Sequence, residues 1–239
     1  MVKKFDDLTR LNEEAAQLFI ETAREAIDKN GRFTVALTGG SSPIGLYRLL
    51  ASEPYRKQVQ WENVFVFWGD ERWVPLTDDL SNAKMAFETL LMHVPVPEEQ
   101  IFPMRAEGIS PDDFAHSYEQ ILRNHLQPSG CFDLVLLGMG GDGHTASWFP
   151  YTGVLKEYDK WVAAYFLEAQ DMYRITLTIP VVNRAAKVAV ITYGPSKAEA
   201  LYEVLHGERN IEKYPAQLID RGEQGRVTWF VDEEAATRR

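Results

Sequence analysis

The sequence predicts an α/β protein with a single-domain, mainly parallel twisted sheet flanked by helices. Three observations predict it. Of the 239 residues, 45% are hydrophobic, which is enough for a sizeable core and too many for a disordered chain. Short apolar runs recur and end in glycine or polar residues. Between them lie longer stretches with apolar residues three and four apart, and strands alternating with helices build parallel sheets covered on both sides.

In chain order, Asp7 to Asn30 carries Leu11, Ala15, Leu18, Phe19, Ala23, Ala26 and Ile27 at helical spacing, with Gly31 as a stop. Phe33 to Thr38 reads as a strand ending in Gly39-Gly40. The same grammar returns at Val64 to Trp68, Phe132 to Gly138, Lys187 to Gly194 and Arg226 to Val231. Helix starts are marked by Ser42 before Pro43, by Ser81, by Ser110 before Pro111-Asp112-Asp113, and by Pro195-Ser196 before Lys197 to Leu205. The Pro-rich piece from Val94 to Pro103 reads as a surface connection between helices. No repeat or linker divides the chain, so residues 1–239 are expected to form one unit.

The formal charge of −10, with cations thinly spread, repels a polyanion, so nucleic acid is excluded as a partner. A small anion held by a few local donors remains compatible with that charge. The single cysteine, Cys131, offers neither a disulfide partner nor a zinc set, and reads as a half-buried residue opening a strand. Met1 to Asp7 lacks a signal-type apolar core, and no window approaches the ~18 apolar residues of a membrane span. A cytosolic, reduced protein is expected, with no membrane association, as a monomer or weak homodimer.

Ligands of open parallel sheets bind beyond the carboxyl ends of the strands, so the residues that follow each apolar run carry the information. After the first strand, Gly39, Gly40, Ser41 and Ser42 present backbone amides and hydroxyls where a helix begins, an arrangement suited to phosphate. An ordinary capped turn fits the same residues, and the Gly-Lys-Ser/Thr ending of a Walker loop is missing. After the second strand comes Gly69-Asp70-Glu71-Arg72. Here Asp70 can bind sugar hydroxyls or orient a catalytic group, and Arg72 can pair with phosphate or with charge developing on a carbonyl oxygen. A surface turn has the same look.

The third strand runs into Gly138-Met139-Gly140-Gly141-Asp142-Gly143-His144. This matches the dinucleotide fingerprint in glycine spacing alone, since Asp142 would face a pyrophosphate and Pro150 interrupts the segment that follows. The glycines instead bring backbone around a small ligand and hold one imidazole at the cleft. His144 is therefore the candidate general base, because a neutral imidazole accepts a proton from water near neutral pH. The other histidines, His93, His116, His125 and His206, read as structural or exposed. Arg174, opening the Arg174 to Thr178 strand, and Lys197, in a first helical turn where cations are disfavoured, complete an anion site.

Taken together these segments resemble the glucosamine-6-phosphate isomerase/6-phosphogluconolactonase family, and its 6-phosphogluconolactonase branch in particular. The matching order is Thr38-Gly39-Gly40-Ser41, Trp68-Gly69-Asp70-Glu71-Arg72, Ser81-Asn82, Gly138 through Pro150, Arg174-Ile175-Thr176, then Gly194 with Lys197. It covers nearly the full chain, and the Gly-Gly-Asp-Gly-His run with Ser-x-Phe-Pro after it is its specific part. The resemblance implies the fold of glucosamine-6-phosphate deaminase and ribose-5-phosphate isomerase A, a sugar-phosphate substrate in the pentose phosphate pathway, and no obligatory metal or organic cofactor. It implies His144 as base on water, with Arg72, Arg174, Lys197 and the Gly40 to Ser42 loop holding substrate. Two departures stand out: Tyr151 where a glycine commonly follows Phe-Pro, and Gln170-Asp171-Met172-Tyr173 in place of a proline-rich lead-in.

The expected chemistry is attack of water on a lactone carbonyl, with the oxyanion met by amides around Gly140 and Gly141 or by Arg72. Ser147 lacks a G-x-S-x-G elbow and is not read as a nucleophile. An amino-sugar phosphate deaminase of the same fold would need a carboxylate soon after His144, and none stands before Glu157. A non-catalytic sugar-phosphate sensor would use the same pocket without turnover.

Overall fold

The computed structural model describes residues 1–220, 222 and 225–237; the rest of the expected 1–239 unit lies outside the described residues. Six strands form an all-parallel sheet in the order β1 (Val2–Phe5), β9 (Val227–Asp232), β8 (Lys187–Thr192), β5 (Leu134–Gly138), β2 (Phe33–Leu37) and β3 (Val64–Trp68). Every residue of β2 is buried, as expected for a strand covered on both faces.

The helices follow their sequence signals closely. In α1 (Leu8–Asn30), Asp7 caps the start by accepting from the Arg10 amide at 2.8 Å, and Gly31 ends it at φ 73. Its buried stripe from Leu11 to Ile27 lies in the main core. Ser81 caps α3 (Asn82–Thr89), and Ser110 caps α4 (Pro111–His125). Ser42 does not cap α2 (Ile44–Ala51): the helix starts after Pro43, and Ser42 makes no capping hydrogen bond. The remaining helices are α5 (Ile179–Arg184) and α6 (Ala198–His206), the latter preceded by a 3₁₀ turn, so Lys197 sits at the N-cap rather than inside the first turn. Among the described residues no helix is long and apolar enough to cross a membrane.

One layer was not expected. A second, antiparallel sheet is formed by β4 (Asp70–Arg72), β7 (Met172–Leu177) and β6 (Val162–Leu167). Asp70 to Arg72 is thus a short strand rather than a turn, and the arginine strand belongs to this second sheet. Gly69 is the single-residue joint between the two. Its N–H donates to Leu37 O in the parallel sheet at 2.7 Å, and its carbonyl accepts from the Leu177 amide at 2.8 Å. The strand Val2–Phe5 was also missed, because its alternate residues are exposed and it carries little apolar signal. Cys131 is half-buried but precedes its strand by three residues. The piece from Val94 to Pro103 does more than connect: Ile101 bridges Val66 and Phe102 N–H donates to Val66 O, which covers the β3 edge.

Candidate functional site

Because β2, β3, β5 and β8 are parallel neighbours, their carboxyl ends open at one edge of the sheet, and the loops that leave them converge there. The resulting cleft encloses about 160 Å³ and opens widely to solvent. It is lined by Gly39, Gly40, Ser41, Ser42, Asp70, Arg72, Gly140, His144, Arg174 and Lys197, which brings together all the expected site residues except Gly141. Gly141 instead packs beneath the Ser196 carbonyl, where a Cβ would stand 2.8 Å from the oxygen. A glycine there permits the close approach of the two loops.

The first loop is held at its root. The buried Tyr47 hydroxyl accepts from Thr38 N–H at 2.9 Å and donates to Thr38 O at 2.8 Å, fixing the exit of β2. Gly39 then lies flat against the Asn82 amide, so closely that a Cβ would sit 1.8 Å from Asn82 Oδ1. Gly40 takes φ 75, open to a residue without a side chain. Ser42, which caps no helix, lines the cleft.

The second sheet supplies the cations. Arg72 and Arg174 are paired positions on β4 and β7. Arg174 is buried, its Nη1 3.8 Å from Asp70 Oδ2, and its Nη2 donates to Gln170 at the rim. Burial draws the Arg174 guanidinium down from its ordinary value; Asp70 opposes that shift and Arg72 reinforces it. The Asp70 carboxylate also accepts from Ser147 Oγ at 2.6 Å. With those two partners Asp70 holds Arg174 in place. The fully buried Ser147 hydroxyl is occupied in supporting that carboxylate, in keeping with its not being read as a nucleophile.

Glu71, wholly buried, organises the other side. Its carboxylate accepts from the amides of Arg72, Asn82 and Ala83, each at 2.8 Å, and from Ser81 Oγ at 3.1 Å. Burial pushes this carboxyl above its usual range, against the three amides that favour its charge. It thereby ties the start of α3, and Asn82 with it, to the arginine strand.

The catalytic candidate sits on the loop after β5. His144 Nδ1 lies 2.6 Å from Asp142 Oδ1, which also accepts from the His144 amide at 3.1 Å. A carboxylate can only accept, so the imidazole donates from Nδ1 and keeps Nε2 as its free basic nitrogen. Burial pushes the Asp142 carboxyl up, but the hydrogen bond and charge of His144, with the local amides, outweigh it and hold the group below the usual carboxylate range. Gly140 leaves room for this pair, since a Cβ there would fall 2.2 Å from His144 Nδ1. The Gly140 amide donates to His144 O at 2.8 Å, so it is not available to an oxyanion, contrary to expectation. Sequence reasoning also passed over Asp142, Asn82 and Glu71. The Asp-Gly-His spacing was a signal for the first; the other two act through distant contacts.

Known proteins resemble this chain over nearly its whole length. A family model described as glucosamine-6-phosphate isomerases/6-phosphogluconolactonase matches residues 6–229. A 6-phosphogluconolactonase of Synechocystis sp. is 40% identical over 215 residues, covering 88% of this chain and 86% of the relative. That of Mycobacterium tuberculosis is 34% identical, covering 99% and 97%. The solved 6-phosphogluconolactonase of Trypanosoma brucei superposes with a TM-score of 0.86 at 27% identity, covering 99% and 97%. A monomeric glucosamine-6-phosphate deaminase, at 22% identity and TM-score 0.85 over 100% and 99% of the two chains, shares the fold. The chain belongs to the glucosamine-6-phosphate isomerase/6-phosphogluconolactonase family.

Proposed function

We propose that this chain hydrolyses 6-phospho-D-glucono-1,5-lactone to 6-phospho-D-gluconate, the lactone-opening step of the pentose phosphate pathway, with His144 as general base. The observation that carries the mechanism is the Asp142–His144 pair facing a cleft that also holds two arginines, a lysine and a glycine-serine loop. The phosphate is gripped by the Gly40 to Ser42 backbone and hydroxyls with Arg72, Arg174 and Lys197, which positions the lactone carbonyl for attack. His144 Nε2 takes a proton from water as its oxygen bonds to C1. Negative charge gathers on the carbonyl oxygen, where the Gly141 N–H is the first candidate donor and Arg72 the second. The C1–ring oxygen bond then breaks, the imidazolium returns the proton to the ring oxygen, and the new carboxylic acid ionises.

An activated ester needs only positioning and acid-base help of about 10²–10⁴. The lone cysteine suits a cytosolic, reducing setting.

The test uses freshly made 6-phosphogluconolactone, with spontaneous hydrolysis subtracted. Wild type is expected to accelerate ring opening and His144→Ala to lose most of that rate, while ammonia release from glucosamine 6-phosphate stays at background. No acceleration by wild type refutes the assignment.

A further inference from the structure

The Phe-Pro pair after the catalytic loop is part of the most specific segment of the sequence, and the reaction above gives it no role. The chain turns sharply there. Trp148 N–H donates to Thr145 O at 2.9 Å, Ala146 adopts φ 47, and the strand-like path of the loop is reversed. Phe149 is thereby folded back against His144, with ring centroids 4.1 Å apart and planes 22° apart. The same ring lies 5.2 Å from the Arg174 guanidinium carbon.

The ring is itself buried, and the backbone that carries it is pinned. Phe149 is buried, its carbonyl accepts from Thr152 Oγ1 at 2.7 Å, and Tyr151 N–H just beyond donates to Glu212 O at 3.0 Å. Tyr151 holds φ 61 there, the left-handed conformation that suits the glycine common at this place in the family. A hydrogen bond at Nδ1 sets the His144 tautomer but leaves the ring free to pivot about that bond, and a stacked aromatic face removes the freedom. Arg174 has Asp70 and Gln170 on its nitrogens and lies over the Phe149 ring.

We propose that Phe149 is a positioning residue that holds the catalytic imidazole and the anion-binding guanidinium in one fixed relation through a shared ring. The lactone carbonyl and the phosphate are opposite ends of one small molecule, so the groups that meet them must keep their spacing. Misplacement by about 1 Å costs on the order of 10²-fold in rate. The proposal rests on the lactonase assignment for the reaction served, whereas the geometry stands apart from it.

The experiment compares Phe149→Leu and Phe149→Tyr with wild type. An aromatic ring stacked on His144 shifts its Hε1 and Hδ2 resonances upfield. Phe149→Leu should move both downfield, and Phe149→Tyr should keep them. The leucine variant should lower kcat and raise KM together, reducing kcat/KM by about 10–100-fold, and should weaken binding of 6-phosphogluconate, with tyrosine restoring both. In a His144→Ala background, Phe149→Leu should weaken binding without lowering the residual kcat further. Should the leucine variant fail to fold, Phe149→Met, which keeps volume and loses the ring, carries the same readouts. Unmoved His144 resonances, or unchanged kcat/KM and product affinity in a folded ring-less variant, overturn the proposal. Absence of lactonase activity in wild type counts against the assigned reaction, and the resonances and 6-phosphogluconate binding then judge Phe149 alone.

Discussion

Arg72 and Arg174 are register partners on adjacent antiparallel strands, so two guanidinium-bearing residues leave one sheet at one side of the cleft, with Asp70 the neighbouring countercharge. Like charges opposite each other in a sheet repel. An anionic ligand would relieve that repulsion, which supports the binding role proposed for the pair. Arg174→Ala and Arg72→Ala should each raise KM by about tenfold or more with a smaller effect on kcat. Arg174→Lys should rescue poorly, because a lysine cannot reproduce the planar fork held by Asp70 and Gln170. Steady-state kinetics on fresh lactone decide this, and unchanged KM in both alanine variants removes the role.

The Asp142–His144 contact predicts a rate defect with an intact fold. Asp142→Asn presents an amide that no longer demands a proton on Nδ1, so the imidazole loses its fixed tautomer; kcat should fall by about 10²–10⁴. The same carboxyl carries a pH signature. A carboxyl lowered in the folded state contributes stability that is present above its ordinary value of about 4 and is lost as pH falls through the lowered value. Urea melts between pH 2 and 6 should show a shallower acid decline for Asp142→Asn than for wild type, and identical slopes would contradict the shift.

Three glycines give separable outcomes. Gly140→Ala puts a methyl into the His144–Asp142 contact and should lose kcat with little change in the melting curve. Gly39→Ala strikes the Asn82 amide and should raise KM by displacing the phosphate loop, an effect partly relieved by Asn82→Ala. Gly40→Ala meets no atom within 4 Å but is strained at φ 75, so about 1–2 kcal/mol of stability should be lost. Equal behaviour of the three would refute these local causes.

Glu71 should prove structural. Glu71→Gln sets an NH₂ donor against a shell of N–H and O–H donors, which should cost about 1–3 kcal/mol. Because Arg72 and Asn82 hang on that carboxylate, KM should rise as well. Chemical denaturation and kinetics together test the point; a fully stable, fully active variant would refute it.

Ligand linkage offers a check without turnover. At 100 times its Kd, 6-phosphogluconate should add about 2.7 kcal/mol, roughly 5–10 °C in Tm for a chain of this size. The gain should shrink in Lys197→Ala and Arg174→Ala. A Tm unmoved by the product in wild type would count against the cleft as its site.

Most of the site was legible because it is written at strand ends. The runs Thr38 to Ser42 and Gly138 to His144 announce themselves by glycine, hydroxyl and imidazole immediately after apolar strands; all of the first and Gly138, Met139, Gly140 and His144 of the second line the cleft. Arg174 was found as a cation at the start of a strand, yet nothing local revealed that the strand is antiparallel or that Arg72 is its partner. Gly141 looks like its neighbours in the sequence, and only the structure shows its close approach to Ser196. Asp142, first weighed only as a charge unfit for pyrophosphate, is the residue that orients His144.

The sequence by itself determined most of the helices, the caps at Ser81 and Ser110, five of the six parallel strands, and the residues offered to a sugar phosphate, though not the helix at Ile179–Arg184. Those features depend on periodicity and dihedral preference within a few neighbours. Tertiary structure alone decided that Gly69 joins two sheets, that Ser147 and Arg174 divide the carboxylate of Asp70, and that Glu71 gathers the start of α3. Such contacts link positions far apart in the chain, and which groups meet is settled by strand order and by the need of every buried polar group for a partner.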